Sequence, residues 1–539
     1  MGRSRTTERE VKFEATVGFE LPDLRRLVGH TERLPRRQLR TAYFDTVDLR
    51  LWGRGITLRH RIDEAEGDGE PDGPGIWTLK LPVEAGRVVV RDEHSWPGTR
   101  SMVPTDAAAV VRGLVRRRPL VQLTELATTR QRLVLHAGDR AVAEVDDDTV
   151  VVVGGPRDGY RFRQVELELA ADAGAIGDVV TARLEEAGAP VRNVTKLAVA
   201  LGLADQPSRQ EAPTVPPGAV VSLGAVVQSA IRSALDRLVD HDWRLRAASP
   251  AADPHDVHQA RVATRRLRSD LKTFRAVLDP VWVGHARADL QWVGTILGAV
   301  RDTDVLAAHL HPDALAGHLD PGEQDQGTVE LRGVLGAQRR AAVDEMTAML
   351  DTDRYLDLLD RLEVASNHPP FWSRDGVAAD EPAADVLPGL VGSRWQALRK
   401  QVRRAGREPS DRQLHQIRIK AKQLRYAAEA AAPTMGGAAR RTAAGAEDVQ
   451  TVLGHHHDAV AAEAWLREQV GAGDADGHAD GDGNGAGSPS GLSTAAAFSA
   501  GQLAAQARQD QRTFRRQWRT SWKAMAKPKR RRWLSEPFA

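Results

Sequence analysis

In the opening segment EREVKFE, Glu8, Glu10, Lys12 and Glu14 occupy alternate positions. The same spacing of charge returns further along: Arg59 with Arg61, Arg91 with Glu93, Arg130 with Arg132, Glu144 with Asp146, and Glu166 with Glu168. Side chains two apart on a strand point to the same side. Several of these doublets carry one sign only, and like charges repel on an open, solvated sheet. Such a set has an evident chemical use. Arginines and lysines hold a polyanion, best a phosphate chain, while carboxylates hold one or two hard divalent cations through oxygen. A cation bound there neutralises phosphate charge and activates water. No Walker-type glycine loop is needed for this, and none is present.

These residues need strands to position them. Short alternating segments such as ITLRHRI, IWTLKLPV, TTRQRLVLH, AVAEVDDDTVVVV and YRFRQVELELA are separated by the turn-forming EGDGEPDGPG and GGPRDG. Val11, Val145 and Leu167 stand between the charges, so one strand face is apolar. Two architectures satisfy this pattern. A sandwich would leave the polar faces wet, whereas a barrel would close with its charges inward and its apolar outer face covered by helices.

The chain has 539 residues, enough for several domains, and 41% apolar residues, enough to bury real cores. It lacks cysteine, which excludes disulfides and thiolate chemistry. Its 75 basic and 73 acidic residues nearly cancel, so local segregation matters more than net charge. With no signal-like or membrane-spanning segment, a soluble cytoplasmic protein is expected. The predicted organisation is a β-rich domain over 1–204, a proline-rich linker over 205–217 and a helical domain over 218–520. A glycine- and aspartate-rich loop at 471–491 is predicted to be disordered, and 521–539 to be a solvated basic tail.

The helical half repeats itself. HQARVATRRLRSDLKTF and LGAVRDTDV, from His258, are answered by HQIRIKAKQLRY and LGHHHDAV, from His415. This predicts two units of one plan, about 218–390 and 391–520. In the first, His258, Arg261, Arg265, Arg268, Lys272 and Arg275 step by 3, 4, 3, 4 and 3, which confines them to an arc of about 100° along ~25 Å of helix. His415, Arg418, Lys422 and Arg425 repeat the stripe. Like charges three and four apart destabilise a free helix, so an anion lying along the stripe is the expected reason for them. The competing reading has Asp302, Asp304 and Asp458 neutralise it. Nucleic acid is disfavoured as the anion, because no aromatic residues interleave with the stripe for stacking. Inorganic polyphosphate needs only the cations. The triplet His455–His457 is a poor metal site, since consecutive helical residues point in three directions.

Taken in order, Glu8-x-Glu10-x-Lys12, YFDT at Tyr43–Thr46, LRHR at Leu58–Arg61, WTLK ending at Lys80, Arg91 with Glu93, RQR at Arg130–Arg132, AEVD at Ala143–Asp146, ELEL at Glu166–Leu169 and Lys196 resemble the CYTH superfamily, the triphosphate tunnel metalloenzymes. The helical motifs resemble the CHAD domain, which follows CYTH in many bacterial proteins. The first resemblance implies an eight-stranded antiparallel tunnel in an α+β multidomain chain. It also implies Mg2+ or Mn2+ held by Glu8, Glu10, Asp146, Glu166 and Glu168. Lys12, Lys80, Arg59, Arg61, Arg91, Arg130, Arg132 and Lys196 would hold the triphosphate, with Arg40 joining them. Glu8, Glu10, Lys12, Lys80, Arg59 and Arg61 form the implied catalytic group. The second resemblance implies two pseudo-symmetric four-helix bundles that bind polyphosphate, and with it an association with polyphosphate granules. The implied activity is hydrolysis of phosphoanhydride bonds in inorganic or related triphosphates; a non-catalytic polyphosphate binder and an adenylate cyclase are the alternatives.

Overall fold

A computed structural model describes residues 4–16, 18–64, 73–84, 86–206, 220–310, 324–372, 377–475 and 492–534. The chain divides into two compact units, Met1–Pro213 and Thr214–Ala539. Most of the linker expected at 205–217 lies outside the described residues.

Among the described residues the first unit is built on nine strands: β1 (Ser4–Ala15), β2 (His30–Arg33), β3 (Arg37–Asp45), β4 (Thr57–Asp63), β5 (Pro74–Glu84), β6 (Val89–Thr99), β7 (Val121–Ala137), β8 (Arg140–Val153) and β9 (Arg161–Leu169). The order β7-β3-β4-β5-β6-β1-β9-β8 is closed by pairing of β8 back onto β7, and every pairing is antiparallel. This is an eight-stranded barrel. Short β2 continues the line of β3 along β7, pairing His30–Arg33 with Leu133–His136. Closure decides between the two architectures, because a closed ring has one face inside and one outside.

Alternation then sorts the side chains. Val11, Phe13, Leu133, Leu135, Val145, Val165 and Leu167 point outward and form one core with Leu24, Val28, Val180 and Leu184. Val28 ends α1 (Arg25–Val28), and Val180 and Leu184 belong to α3 (Ile176–Glu186); α2 (Thr105–Val115) lies between them in sequence. Full burial of a side chain such as Phe13 contributes about 1.5–3 kcal/mol, so the helices hold the barrel with its charges inward. One end of the interior is apolar: Tyr43, Leu126, Val150 and Val152 cluster with Leu197 and Ala200 of α4 (Lys196–Leu201). Thr195 caps α4, its side chain accepting from Ala198 N, which fixes Lys196 on the first turn.

The second unit is helical: α5 (Leu223–Ala247), α6 (Pro254–Thr273), α7 (Pro280–His309), α8 (Gln324–Leu350), α9 (Asp353–Asn367), α10 (Ala383–Ala405), α11 (Asp411–Met435), α12 (Gly437–Ala475) and α13 (Thr494–Met525). Start signals in the sequence set the boundaries. Asp253-Pro254 and Asp279-Pro280 open α6 and α7, each aspartate accepting from backbone N–H groups. Ser410 and Gln413 form a capping box on α11. Helices α5–α8 and α10–α13 are two sets of four in the same order, and each helix also packs on its counterpart: α5 on α10, α6 on α11, α7 on α12, α8 on α13. Helix α9 packs on α5 and α7 and has no counterpart among the described residues.

Two expectations need adjustment. Helix α12 runs to Ala475, into the segment read as a loop, and 476–491 lie outside the described residues. The basic tail keeps Lys527, Lys529, Arg531 and Arg532 exposed, but it is not a loose end as far as it is described. Trp533 Nε1 donates to Thr442 Oγ1 at 2.8 Å, and Arg530 pairs with Asp448 at 3.1 Å, so an aromatic and an ion pair fasten it to α12. No described helix is long and apolar enough to cross a membrane.

Candidate metal and phosphate site

Neighbouring strands set opposite charges beside one another inside the barrel. Lys12 faces Glu166, Arg132 faces Asp146, Arg130 faces Asp148, Glu8 faces Arg91, and Lys80 faces Glu93. Lys12 Nζ lies 2.9 Å from Glu166 and also pairs with Glu10. Lys80 Nζ holds both oxygens of Glu8 at 2.7 Å and reaches Glu93 at 2.5 Å. Arg130 grips Asp148 through two bonds of 2.8 and 2.7 Å, and Arg132 grips Asp146 through two of 2.7 Å. Lys196 reaches in from α4 to Glu166 at 2.7 Å and Asp148 at 3.0 Å. Arg91 Nε approaches Glu10 at 3.5 Å. Such pairs, buried and hydrogen-bonded, hold each side chain in a fixed rotamer.

Pairing overrides burial in most of these groups. Burial pushes Glu10 up, but Lys12 and Lys80 outweigh it and bring its carboxyl down to about 2. Burial likewise opposes the charge on Glu166, and Lys12, Lys196 and Arg130 hold it well below the usual carboxylate range. Glu168 behaves oppositely: burial, then Asp146 and Glu8, push it up to about 7. Oxygens of Asp146, Glu166 and Glu168 lie within 4.8 Å of one another. Three converging carboxylates, one of them pushed up by burial and by its acidic neighbours, suit a hard divalent cation. Glu10 Oε1 is also buried without a hydrogen-bond partner.

Cations predominate on β4. Arg59 lies 3.8 Å from Glu93, too far for a hydrogen bond, and its Nε is buried without a partner. Arg61 donates only to Thr41 Oγ1, at 3.3 Å, among the described contacts. Burial, Arg59 and Arg130 bring it down to about 10. The interior thus offers carboxylates from β1, β8 and β9 and two guanidiniums from β4: Arg59, which Tyr43, Glu93 and Glu8 hold above its ordinary range against burial, and Arg61, which is under-neutralised.

In the helical unit, packing of α6 on α11 brings the two cationic stripes together. Arg261 and Arg265 both act on Arg418 and Lys422. Burial, Arg418, Arg265 and Arg261 push Lys422 down to about 6. Arg261 lies 3.6 Å from Asp302, while Asp304 is taken by Arg339 at 2.8 Å. Asp302 and Asp458 therefore oppose the burial of Arg261 and Arg418 in part, whereas Asp304 is engaged elsewhere. The Nε groups of Arg261, Arg265, Arg268 and Arg418 are buried without hydrogen-bond partners, a cost of roughly 1–3 kcal/mol each. His258 is pushed down to about 4 by burial and by Arg301, Arg265 and Arg261, so it is neutral near pH 7. His415 lies 4.5 Å from His457 ring to ring; burial and Arg418 bring His457 to about 4. Further along, Lys272 is pushed down to about 8 by burial, Lys420 and Arg394, with Arg275 and Arg287 adding to it. The histidine triplet points three ways: His455 stacks on Phe514, His456 faces Asp411, and His457 faces His415.

Models of two domain families match the chain: the CYTH domain over residues 6–189 and the CHAD domain over 229–467. The uncharacterized protein Rv2226 of Mycobacterium tuberculosis is 30% identical over 507 residues, spanning 88% of this chain and 91% of that one. The chain belongs to the CYTH family and carries a CHAD domain. CYTH domains form a family of metal-dependent triphosphate tunnel enzymes, and CHAD domains are associated with polyphosphate. Among solved structures, PptA from Streptomyces chartreusis has a TM-score of 0.44 at 19% identity, covering 56% of this chain and 100% of that one. The CHAD domain from the plant Ricinus communis has a TM-score of 0.40 at 25% identity, covering 57% and 96% respectively.

Within the CYTH barrel, Glu8, Glu10, Lys12, Arg59, Arg61, Lys80, Arg91, Arg130, Arg132, Asp146, Glu166 and Glu168 share the inner register, and Lys196 joins them. Arg40 does not. It sits one residue out of phase with Thr41 and Tyr43, which face Arg61 and Arg59, and is held on the outer side by Glu64 at 2.9 Å and Glu125 at 3.2 Å. In the CHAD domain Arg425 differs from the other stripe cations, because Glu429 at 2.6 Å and Glu447 at 2.9 Å neutralise it. Two inner residues were missed. Asp148 continues the period two of Glu144 and Asp146, and Glu93, though noticed as a doublet, was given no role; both bind tunnel cations. Arg287, Arg394 and Lys420 bear on Lys272 from α7, α10 and α11, which no local spacing reveals.

Proposed function

We propose that this protein hydrolyses inorganic triphosphate, or a related organic triphosphate, in its β tunnel with Mg2+ or Mn2+, and that its CHAD domain binds polyphosphate. The observation that carries the first part is the convergence of Asp146, Glu166 and Glu168 within 4.8 Å, inside a barrel that also turns Lys12, Arg59, Arg61, Lys80, Arg91, Arg130 and Arg132 inward. Those three carboxylates would hold the cation, with Glu8 and Glu10 in reserve on β1. When bound, the cation supplies charge neutralisation and an activated water. The chain's own residues do the rest. Arg59 and Arg61 offer guanidiniums that no carboxylate holds by hydrogen bonds, so they can take phosphate oxygens without first breaking a strong pair. Lys12, Lys80, Arg130, Arg132 and Lys196 are fixed by their acids, and such fixed charges stabilise a charged transition state without reorganising. The apolar cluster under α4 keeps one end of the tunnel dry.

The CHAD reading rests on Arg261, Arg265, Arg268 and Arg418, whose buried Nε–H groups lack acceptors on a face where cations crowd one another and Asp302 and Asp458 offset them in part. A phosphate-release assay with tripolyphosphate, ATP and thiamine triphosphate, in Mg2+ or Mn2+, tests the catalytic part. Turnover of tripolyphosphate that disappears in chelator is expected; no turnover of any of the three would leave only the binding role.

A further inference from the structure

A second cation row lies where the CHAD match, which ends at residue 467, does not reach. Residues 511–534 contain no aspartate or glutamate. On α13, Arg512, Arg516 and Lys523 are exposed and step by 4 and 7, which keeps them within about 40° along ~16 Å of helix. Lys527, Lys529 and Arg532, also exposed, continue the row past the helix end. Two acids on neighbouring elements pair with other cations: Asp411 with Arg515, and Asp448 with Arg530. Among the described residues none of the row's six side chains has an ion-pair partner. The arrangement resembles the α6 stripe in collecting cations on one helical face.

The aromatic residues nearby narrow the ligand. Trp518 is fully buried, Trp522 stacks on Trp395 at 5.3 Å, Phe514 stacks on His455 at 5.2 Å, and Trp533 bonds Thr442. None is free to stack on a base. No large apolar side chain within 511–534 is exposed, so nothing is offered for insertion into a lipid surface. What remains is recognition by charge alone, the chemistry of a bare phosphate chain.

We infer that the row on α13 and its extension is a second grip for the polyphosphate chain taken by the α6–α11 stripes, engaged only by chains long enough to reach both. The inference rests on the stripe reading of the CHAD domain. Two linked grips raise affinity through effective concentration, without any new contact at either one.

The test compares the full-length protein with R512E/R516E/K523E/K527E, whose glutamates suit an exposed helix; thermal melting checks its fold. For long polyphosphate the variant should lose about tenfold or more in affinity near 0.15 M salt, while a short chain of about ten phosphates should bind unchanged. Equal affinity of wild type and variant for the long chain, or equal loss for both chain lengths, overturns the inference. So does tighter wild-type binding of duplex DNA or phosphatidylserine vesicles at matched charge, lost in the variant. R261Q/R265Q separates the underlying reading: if it leaves short-chain affinity intact, the stripe reading has failed, whatever the row does.

Discussion

The barrel and the helical unit use the same basic side chains in opposite electrostatic states. In the barrel Lys12, Lys80, Arg130, Arg132 and Lys196 are locked to carboxylates, and Arg130 and Arg132 are held above their ordinary range by Asp148 and Asp146 against the effect of burial. On the helical stripes cations crowd one another, Asp302 and Asp458 offset them in part, and Arg261, Arg418 and Lys422 are pushed down, first by burial. The difference separates positioning from storage. Paired charges are pre-organised but already satisfied, so a triphosphate entering the barrel needs a divalent cation to offset the acids. Unpaired charges are strained but available, so a polyanion on the stripes relieves a cost the fold already bears.

Breaking the barrel's side of this contrast has the largest expected effect. Glu168→Gln copies the protonated form that the carboxyl already approaches near pH 7, so thermal stability should hold. Tripolyphosphate turnover should nonetheless fall on the order of 100-fold or more, through loss of a metal ligand. Breaking the other side comes next. Replacing Arg261 and Arg265 by glutamine should weaken polyphosphate binding roughly tenfold to 100-fold and flatten its salt dependence, measured by titration across ionic strength. Titration sharpens the contrast further. Lys422, at about 6 in the free protein, is mostly neutral at pH 7; a bound anion favours its charged form, so binding takes up a proton. Affinity should therefore strengthen as pH falls from 8 towards 6, by up to about tenfold per unit for one proton. Calorimetry in buffers of different ionisation enthalpy reads that uptake, and Lys422→Gln should remove most of it. The smallest effects belong to the residues that fell out of the two sites. Arg40→Gln should leave turnover, and Arg425→Gln polyphosphate affinity, within about twofold, as expected of groups paired away from the ligand.

Much of the barrel was legible because a strand repeats every two residues: once Glu8, Glu10 and Lys12 were assigned to one face, Val11 and Phe13 had to find an apolar cover. Whether that face was wet was not legible, since closure depends on β7 pairing with β8 as well as with β3. Arg40 shows the limit of reading by composition. It neighbours inward residues and carries the right charge, but it is one position out of phase. Asp148 shows the reverse, because period two predicted its side and only the run of three aspartates hid it. The stripes were legible from their 3–4 spacing. Their meeting across α6 and α11 was not, because it joins residues more than 150 positions apart, as Arg265 and Arg418 are.

The most direct measurement is Mn2+ binding, followed by the electron paramagnetic resonance of the free ion, alongside phosphate release from tripolyphosphate in the same samples of wild type and Glu168→Gln. A tunnel that works as a metal-dependent triphosphatase predicts that wild type binds Mn2+ and releases phosphate over the same range of metal concentration, and that the variant loses both. Turnover that persists in chelator, or Mn2+ binding undiminished in the variant, would contradict it.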